Sequence, residues 1–108
     1  MYAILDKHVS RADWCRYEGD GNALRHSLAY PEERWRADWR FLARRYKNHP
    51  AAIGADLRNE LQFGATWGGQ DPALDLHAAA ERGGNAILAE NPNLLIFARL
   101  PVKRLSFA

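Results

Sequence analysis

Three polar side chains follow an apolar run in the middle of the chain, and one of them could transfer protons. The run is Ala51–Leu57, and Arg58, Asn59 and Glu60 come directly after it. A carboxyl group at the end of an apolar strand is a candidate general acid or base. On spacing alone, the alternative is that Asn59 and Glu60 form a turn with a solvated acid.

Two other positions carry side chains suited to a binding site. His8 follows the first apolar run, and Trp67 lies in a glycine-rich stretch beyond Glu60. A structural role is the alternative for both, since His8 could be hydrogen-bonded within the fold and Trp67 could belong to the core. His8, His26, Asp6 and Glu60 could also supply metal ligands. Their spacing matches no metal motif such as His-Glu-x-x-His, so no metal is predicted.

The pattern of apolar residues predicts the elements that would position these groups. Trp35, Trp39, Leu42, Ala43 and Tyr46 recur every three or four residues, as on one face of a helix. A second stripe of this kind runs from Leu76 to Leu88, behind a possible N-cap at Asp71 with Pro72 in the first turn. The predicted elements are strand Tyr2–Asp6, helix Pro31–Tyr46, strand Ala51–Leu57, a helix from Asp71 to the "ENPN" segment, and strand Leu94–Ala98.

This alternation of strands and helices predicts a parallel sheet, in which side chains that do chemistry gather where strands end. The segment Lys7–Tyr30 is predicted to be a long loop. No cofactor is predicted, because the sequence has neither a phosphate-binding glycine motif nor a Gly-x-Ser-x-Gly elbow.

Composition narrows the class of protein. The 108 residues suffice for one domain, with a net charge of +2 and 26% charged residues. Acids and bases are interspersed along the predicted helix Pro31–Tyr46, which favours a solvated face of this helix over a nucleic-acid surface. Cys15 is the only cysteine, so no internal disulfide can form. No apolar run approaches the roughly 20 residues of a membrane span, and the chain as written begins without a secretion signal, so its location stays open.

A long stretch of the sequence resembles the middle of glycoside hydrolase family 5 cellulases. It reads "WRFLARRYKNHPAAIGADLRNELQFGATWGGQDPALDLHAAAERGGNAILAENPNLLIF", and "ILDKH" near the start resembles the third strand of the family. The resemblance implies a partial (β/α)8 TIM barrel, in which residues 1–98 supply strands three to five and residues 99–108 form a divergent tail. It also implies an enzyme that hydrolyses β-1,4-glucosidic bonds of β-glucan or cello-oligosaccharide.

The resemblance assigns roles to four residues. Glu60 matches the general acid/base of the family, Asn59 the asparagine that binds the sugar 2-hydroxyl, His8 a substrate-site histidine, and Trp67 a sugar-stacking aromatic. The sequence has "NELQ" where the family has "NEPH". The nucleophilic glutamate of the family lies on strand seven, outside the matching span.

Two expectations follow from this partial match. A second carboxylate would come from Asp6, Asp56, Glu18, Asp20 or a neighbouring subunit; otherwise the chain would be an incompetent fragment that at most binds glucan weakly. Because open sheet edges recruit other strands, the chain is also expected to form a homo-oligomer.

Overall fold

Five elements follow one another in the predicted order. The computed structural model describes residues 1–7, 31–58, 67–68, 71 and 75–99. The elements are β1 (Ala3–Asp6), α1 (Glu32–Arg45), β2 (Ala52–Asp56), α2 (Leu76–Glu90) and β3 (Leu95–Phe97). Both strand pairs are parallel, and the sheet order is β1-β2-β3. The β-α-β-α-β arrangement is therefore confirmed, and for four of the elements the predicted boundaries differ by one residue at one or both ends.

The register of the sheet separates two faces. Leu5, Ala55 and Ile96 are aligned across the three strands, and they pack against the core beneath the helices. Side chains alternate along a strand, so the rows before and after this one point to the opposite face. We call this the helix-free face. Its members are Ile4, Asp6, Gly54, Asp56, Leu95 and Phe97.

The helix-free face is largely apolar and accessible. Ile4, Leu95 and Phe97 are 50%, 58% and 40% exposed. The ring of Phe97 lies over Gly54, where an added Cβ would approach Phe97 Cε2 to 2.7 Å. Gly54 therefore provides the space that lets an aromatic ring from β3 cover the middle of β2.

Helix α1 buries the stripe that its sequence predicts. Trp35, Trp39 and Ala43 are buried, and Leu42 packs beside them. Glu32 and the adjacent acid at position 33 lie in the first turn, and two arginines lie in the last turn, as the helix dipole favours. Trp35 therefore belongs to the core.

Helix α2 differs from its prediction at both a boundary and a face. Its N-cap is Asp75, whose carboxylate accepts hydrogen bonds from the amides of His77 and Ala78. The predicted N-cap at Asp71 is therefore wrong, because a second aspartate nearer the apolar stripe caps the helix. Leu88 was expected in the stripe, but it is exposed.

The two helices contact each other through a glycine and are joined by ion pairs. An added Cβ at Gly83 would lie 2.7 Å from Cη2 of Trp35, so the indole packs directly on the backbone of α2. Arg82 pairs with Glu32 at 2.7 Å, and Arg44 pairs with Glu90 at 2.7 Å. Neither described helix combines the length and apolar character needed to cross a membrane.

Surface charges of α1 also pair within the helix, as its alternating acids and bases predict. Glu33 accepts hydrogen bonds from Arg40 and Arg36. These contacts lower the pKa of Glu33, with the Arg40 hydrogen bond as the main cause. The pKa of Glu90 is lowered in the same way, chiefly by its hydrogen bond from Arg44.

Candidate active site

The carboxyl edge of the sheet holds two acids in adjacent strands. Asp6 ends β1 and Asp56 ends β2, and the two Cα positions are partners in the parallel ladder. Both belong to the helix-free face. Asp6 is exposed, whereas Asp56 is only 6% exposed. Strand ends at this edge are where the sequence predicts catalytic groups.

An arginine just beyond β3 occupies the same edge. Arg99 donates from Nε to Oδ2 of Asp56 at 2.8 Å, and its Nη2 contacts the same oxygen. The Asp56 side chain is 8% exposed and that of Arg99 is 51% exposed. This ion pair joins the ends of β2 and β3. It makes Asp56 the weaker candidate for a catalytic carboxylate, since its side chain is buried and in contact with the guanidinium.

The end of β2 is held by groups from the helix layer and from the neighbouring strand. The Leu57 amide donates to the Phe97 carbonyl at 3.0 Å. The Leu57 carbonyl accepts from the indoles of Trp35 and Trp39 at 3.2 and 3.4 Å. The next residue, Arg58, is 1% exposed. Asn59 and Glu60 follow in the sequence.

Trp67 lies near the start of α2. Its side chain is 43% exposed, and its ring meets the edge of the His77 ring with centroids 5.0 Å apart. The neighbouring Gly68 has a φ of 78°, a conformation that favours glycine, and its amide donates to Asp75 at 2.9 Å. This hydrogen bond is the main cause of the lowered pKa of Asp75. Trp67 is therefore accessible rather than part of the core.

The other predicted site residues fall outside the described residues. These are His8, Asn59 and Glu60, together with His26 and the possible second carboxylates Glu18 and Asp20. Asp6 and Asp56 are described, and the structure brings them to one edge of the sheet. Within the described ranges, no three histidine, cysteine or acidic side chains are grouped so that they could hold a metal ion.

Arg99 is the rim residue that the sequence did not indicate. Its partner, Asp56, is 43 positions away. The tail in which it lies matched no predicted element, so no local pattern could reveal the contact. The only signal was chemical: an aspartate within an apolar strand requires a partner if it is buried.

A cavity of about 570 Å³ opens at the opposite, amino-terminal edge of the sheet. It lies between the turn after α1 and the turn before β3. Residues of both turns line it, including Tyr2, Lys47, His49, Asn91, Asn93 and Leu95. Within the described part of the chain, this cavity and the carboxyl edge are thus separate regions at opposite ends of the strands.

Comparison with known proteins identifies the family. The cellulase domain, glycosyl hydrolase family 5, matches residues 1–101. The chain belongs to this family. Its partial (β/α)8 fold is confirmed by the catalytic domain of the major endoglucanase from Xanthomonas campestris pv. campestris, which superposes with a TM-score of 0.77 at 43% identity. The match covers 91% of this chain and 27% of the Xanthomonas domain.

Curated relatives and a ligand complex agree with this assignment. An endoglucanase of Paenibacillus polymyxa is 47% identical over 93 residues. These residues are 86% of this chain but 22% of the relative. An endocellulase of Pyrococcus horikoshii, solved with cellotetraose, matches at 34% identity with a TM-score of 0.77. That match covers 91% of this chain and 28% of the endocellulase. The chain therefore spans about a quarter or less of these relatives.

Proposed function

We propose that the carboxyl edge of the sheet acts in hydrolysis of β-1,4-glucan, with Glu60 as the general acid/base. The observation that carries the proposal is the family membership, combined with the position of Glu60 four residues after the end of β2. The accessible ring of Trp67 and the two acids at the rim support it. Asn59 would bind the sugar 2-hydroxyl, His8 would contact substrate, and Trp67 would stack on a pyranose ring.

The chemistry requires a proton donor because a glycosidic oxygen is a poor leaving group until it is protonated. Glu60 would donate that proton as the glycosidic bond breaks, and would then remove a proton from the incoming water. Asn59 would hold the 2-hydroxyl through a contact that strengthens as positive charge develops on the ring. No metal or organic cofactor is needed for this route.

In a retaining mechanism a second carboxylate must attack the anomeric carbon, whereas in an inverting mechanism that carboxylate, rather than Glu60, removes the proton from the water. Among the described candidates Asp6 is favoured over Asp56, because Asp6 is exposed, whereas Asp56 is only 6% exposed. A separation of about 5–5.5 Å between the two carboxyl groups would give retention, and about 6.5–9.5 Å would give inversion. Glu18, Asp20 and a carboxylate from a neighbouring subunit remain the alternatives.

The test is hydrolysis of a soluble cellulose derivative by the wild type and by Glu60→Gln. We expect the variant to lose about 100- to 10,000-fold in rate, the usual contribution of a positioned acid or base. Glu81→Gln is the matched control, since Glu81 is an exposed acid on α2 and should have no effect. Equal rates for the wild type and Glu60→Gln would discard Glu60 as the acid.

A second candidate function is glucan binding without hydrolysis. It is favoured by the short span of the chain, which covers 22% of the Paenibacillus polymyxa relative. Calorimetric titration with cello-oligosaccharides distinguishes the two. Binding without release of reducing sugar would support this second function, and hydrolysis that depends on Glu60 would exclude it.

We further propose that residues 1–98 form the hydrolase domain and that residues 99–108 form a divergent tail.

We also propose that the isolated chain self-associates through the helix-free face. Among the described elements, β1 and β3 are each paired on one side only, and this face exposes Ile4, Leu95 and Phe97. A second copy of the chain would cover this face. Light scattering after size exclusion should report a dimer or larger species.

A matched pair of exposed leucines tests this surface. Leu95→Ser on the helix-free face should shift the chain towards monomer, whereas Leu88→Ser on α2 should not. A stable folded monomer of the wild type at micromolar concentration would contradict self-association.

A further inference from the structure

Two indole N–H groups converge on one backbone carbonyl at the end of β2. Trp35 and Trp39 lie one turn apart on α1, and both donate to the carbonyl oxygen of Leu57, at 3.2 and 3.4 Å. Both tryptophans are at most 1% exposed, and Leu57 is also 1% exposed. The contacts are therefore made away from solvent, where water cannot replace a lost donor.

These donors have a consequence for the direction of the chain. A carbonyl oxygen has two lone pairs, and two indoles supply a partner for each. The Leu57 amide is also engaged, by the Phe97 carbonyl. The backbone at Leu57 is thus fixed both from the helix layer and from the neighbouring strand. Arg58, the residue after it, is itself buried.

We propose that Trp35 and Trp39 are positioning residues for the backbone at Leu57 and Arg58, from which the chain continues to Glu60. By fixing the Leu57 carbonyl, they set the direction in which the chain leaves β2 towards the acid/base residue. The chemical consequence rests on the proposed function of Glu60, whereas the effect on the backbone does not. A positioned acid is sensitive to such support, because a displacement of about 1 Å can cost roughly 100-fold in rate.

The packing around Trp35 indicates why a tryptophan fits this role. Its ring extends across the face of Gly83 on α2, where Cη2 and Cζ3 would lie 2.7 and 2.9 Å from an added Cβ. Helix α2 thus leaves room for the far end of the indole, while the N–H at the near end reaches Leu57. A phenylalanine would fill part of the same space but would offer no donor to the carbonyl.

The experiment compares Trp35→Phe and Trp39→Phe with the wild-type chain. Ile87→Val is the control, since Ile87 is a fully buried core residue with no part in the hydrogen bonds to Leu57. The first readout is the carbonyl ¹³C resonance of Leu57 together with the backbone amide resonances of Arg58–Glu60. Both phenylalanine variants should shift these resonances, and Trp35→Phe should shift them more because its hydrogen bond is shorter. Ile87→Val should leave them in place.

The second readout is hydrolysis of a soluble cellulose derivative. We expect kcat of the phenylalanine variants to fall about 10- to 100-fold while KM changes less than about 2-fold, because Glu60 acts in the bond-breaking step and the Asn59 contact strengthens in the transition state. Unchanged Arg58–Glu60 resonances, or shifts equal to those in Ile87→Val, would overturn the proposal. So would shifted resonances with unchanged kcat. If the wild type proves inactive, the proposed function fails separately, and the resonances alone decide whether the indoles position the segment.

Discussion

Two adjacent glycines of α2 should respond differently to the same substitution. Gly83 and Gly84 are both buried in the middle of the helix, so each would gain helix propensity of about 1 kcal/mol on replacement by alanine. Their surroundings differ. The new methyl group at position 83 would lie 2.7 Å from the ring of Trp35, whereas at position 84 it would meet Ile96 Cγ2 at 3.5 Å, an ordinary contact.

The expected free energies of unfolding follow from these distances. Gly84→Ala should stabilise the chain by about 1 kcal/mol. Gly83→Ala should gain the same helix propensity but lose about 1–3 kcal/mol to overpacking, because the Trp35 ring is enclosed and cannot easily move aside. The two variants should therefore differ by about 1–3 kcal/mol. That gap corresponds to a difference in melting temperature of roughly 4–12 °C for a domain of this size.

Urea unfolding followed by tryptophan fluorescence measures this gap, with all variants at one protein concentration so that self-association is held constant. The slope of the transition should be unchanged and the midpoint should move. If Gly83→Ala is as stable as Gly84→Ala, or more stable, the close packing of Trp35 on α2 is refuted. The positioning role proposed for Trp35 would then lose its structural basis.

Three further predictions concern the charged groups. The carboxyls of Glu33, Glu90 and Asp75 have pKa values lowered from ordinary values of 4.5, 4.5 and 3.8. They therefore stabilise the fold above those values and should lose this contribution as the pH falls below them. Thermal melts in which the melting temperature does not decrease between pH 6 and pH 3 would contradict this. Asp75→Ala should lower the free energy of unfolding through loss of the N-cap, and an unchanged midpoint in a urea titration would argue against the cap. Arg99→Gln should destabilise the chain more than Asp56→Asn. The first variant leaves the buried Asp56 carboxylate without the guanidinium, whereas the second leaves the half-exposed Arg99 without the carboxylate. A larger loss of stability for Asp56→Asn in chemical denaturation would contradict this.

Much of the fold could be predicted because its signals are local. The apolar runs before Asp6, Asp56 and Ala98 indicated three strands, and the spacing of Trp35 and Trp39 indicated the buried face of α1. The start of α2 was predicted wrongly, because Asp71 offers the same capping chemistry as Asp75. Choosing between them depends on where the helix packs, which a local pattern does not contain.

The candidate site could be predicted only in part. Side chains that follow strand ends pointed to the carboxyl edge of the sheet, and Asp6 and Asp56 do meet there. The contact between Arg99 and Asp56 and the bonds from the two indoles to Leu57 depend on tertiary packing between distant segments. Chemical type alone could not reveal them. The roles of His8, Asn59, Glu60 and Trp67 remain predictions that come from the family.

The central claim is that saccharide binds at the carboxyl edge of the sheet. It is tested most directly by titrating the ¹⁵N-labelled chain with cellotetraose and following the backbone amide resonances. The account predicts shifts at Asp56, Arg58, Trp67 and Arg99, with no change around the amino-terminal cavity lined by Lys47 and Asn93. Shifts confined to that cavity, with the carboxyl edge unaffected, would contradict it.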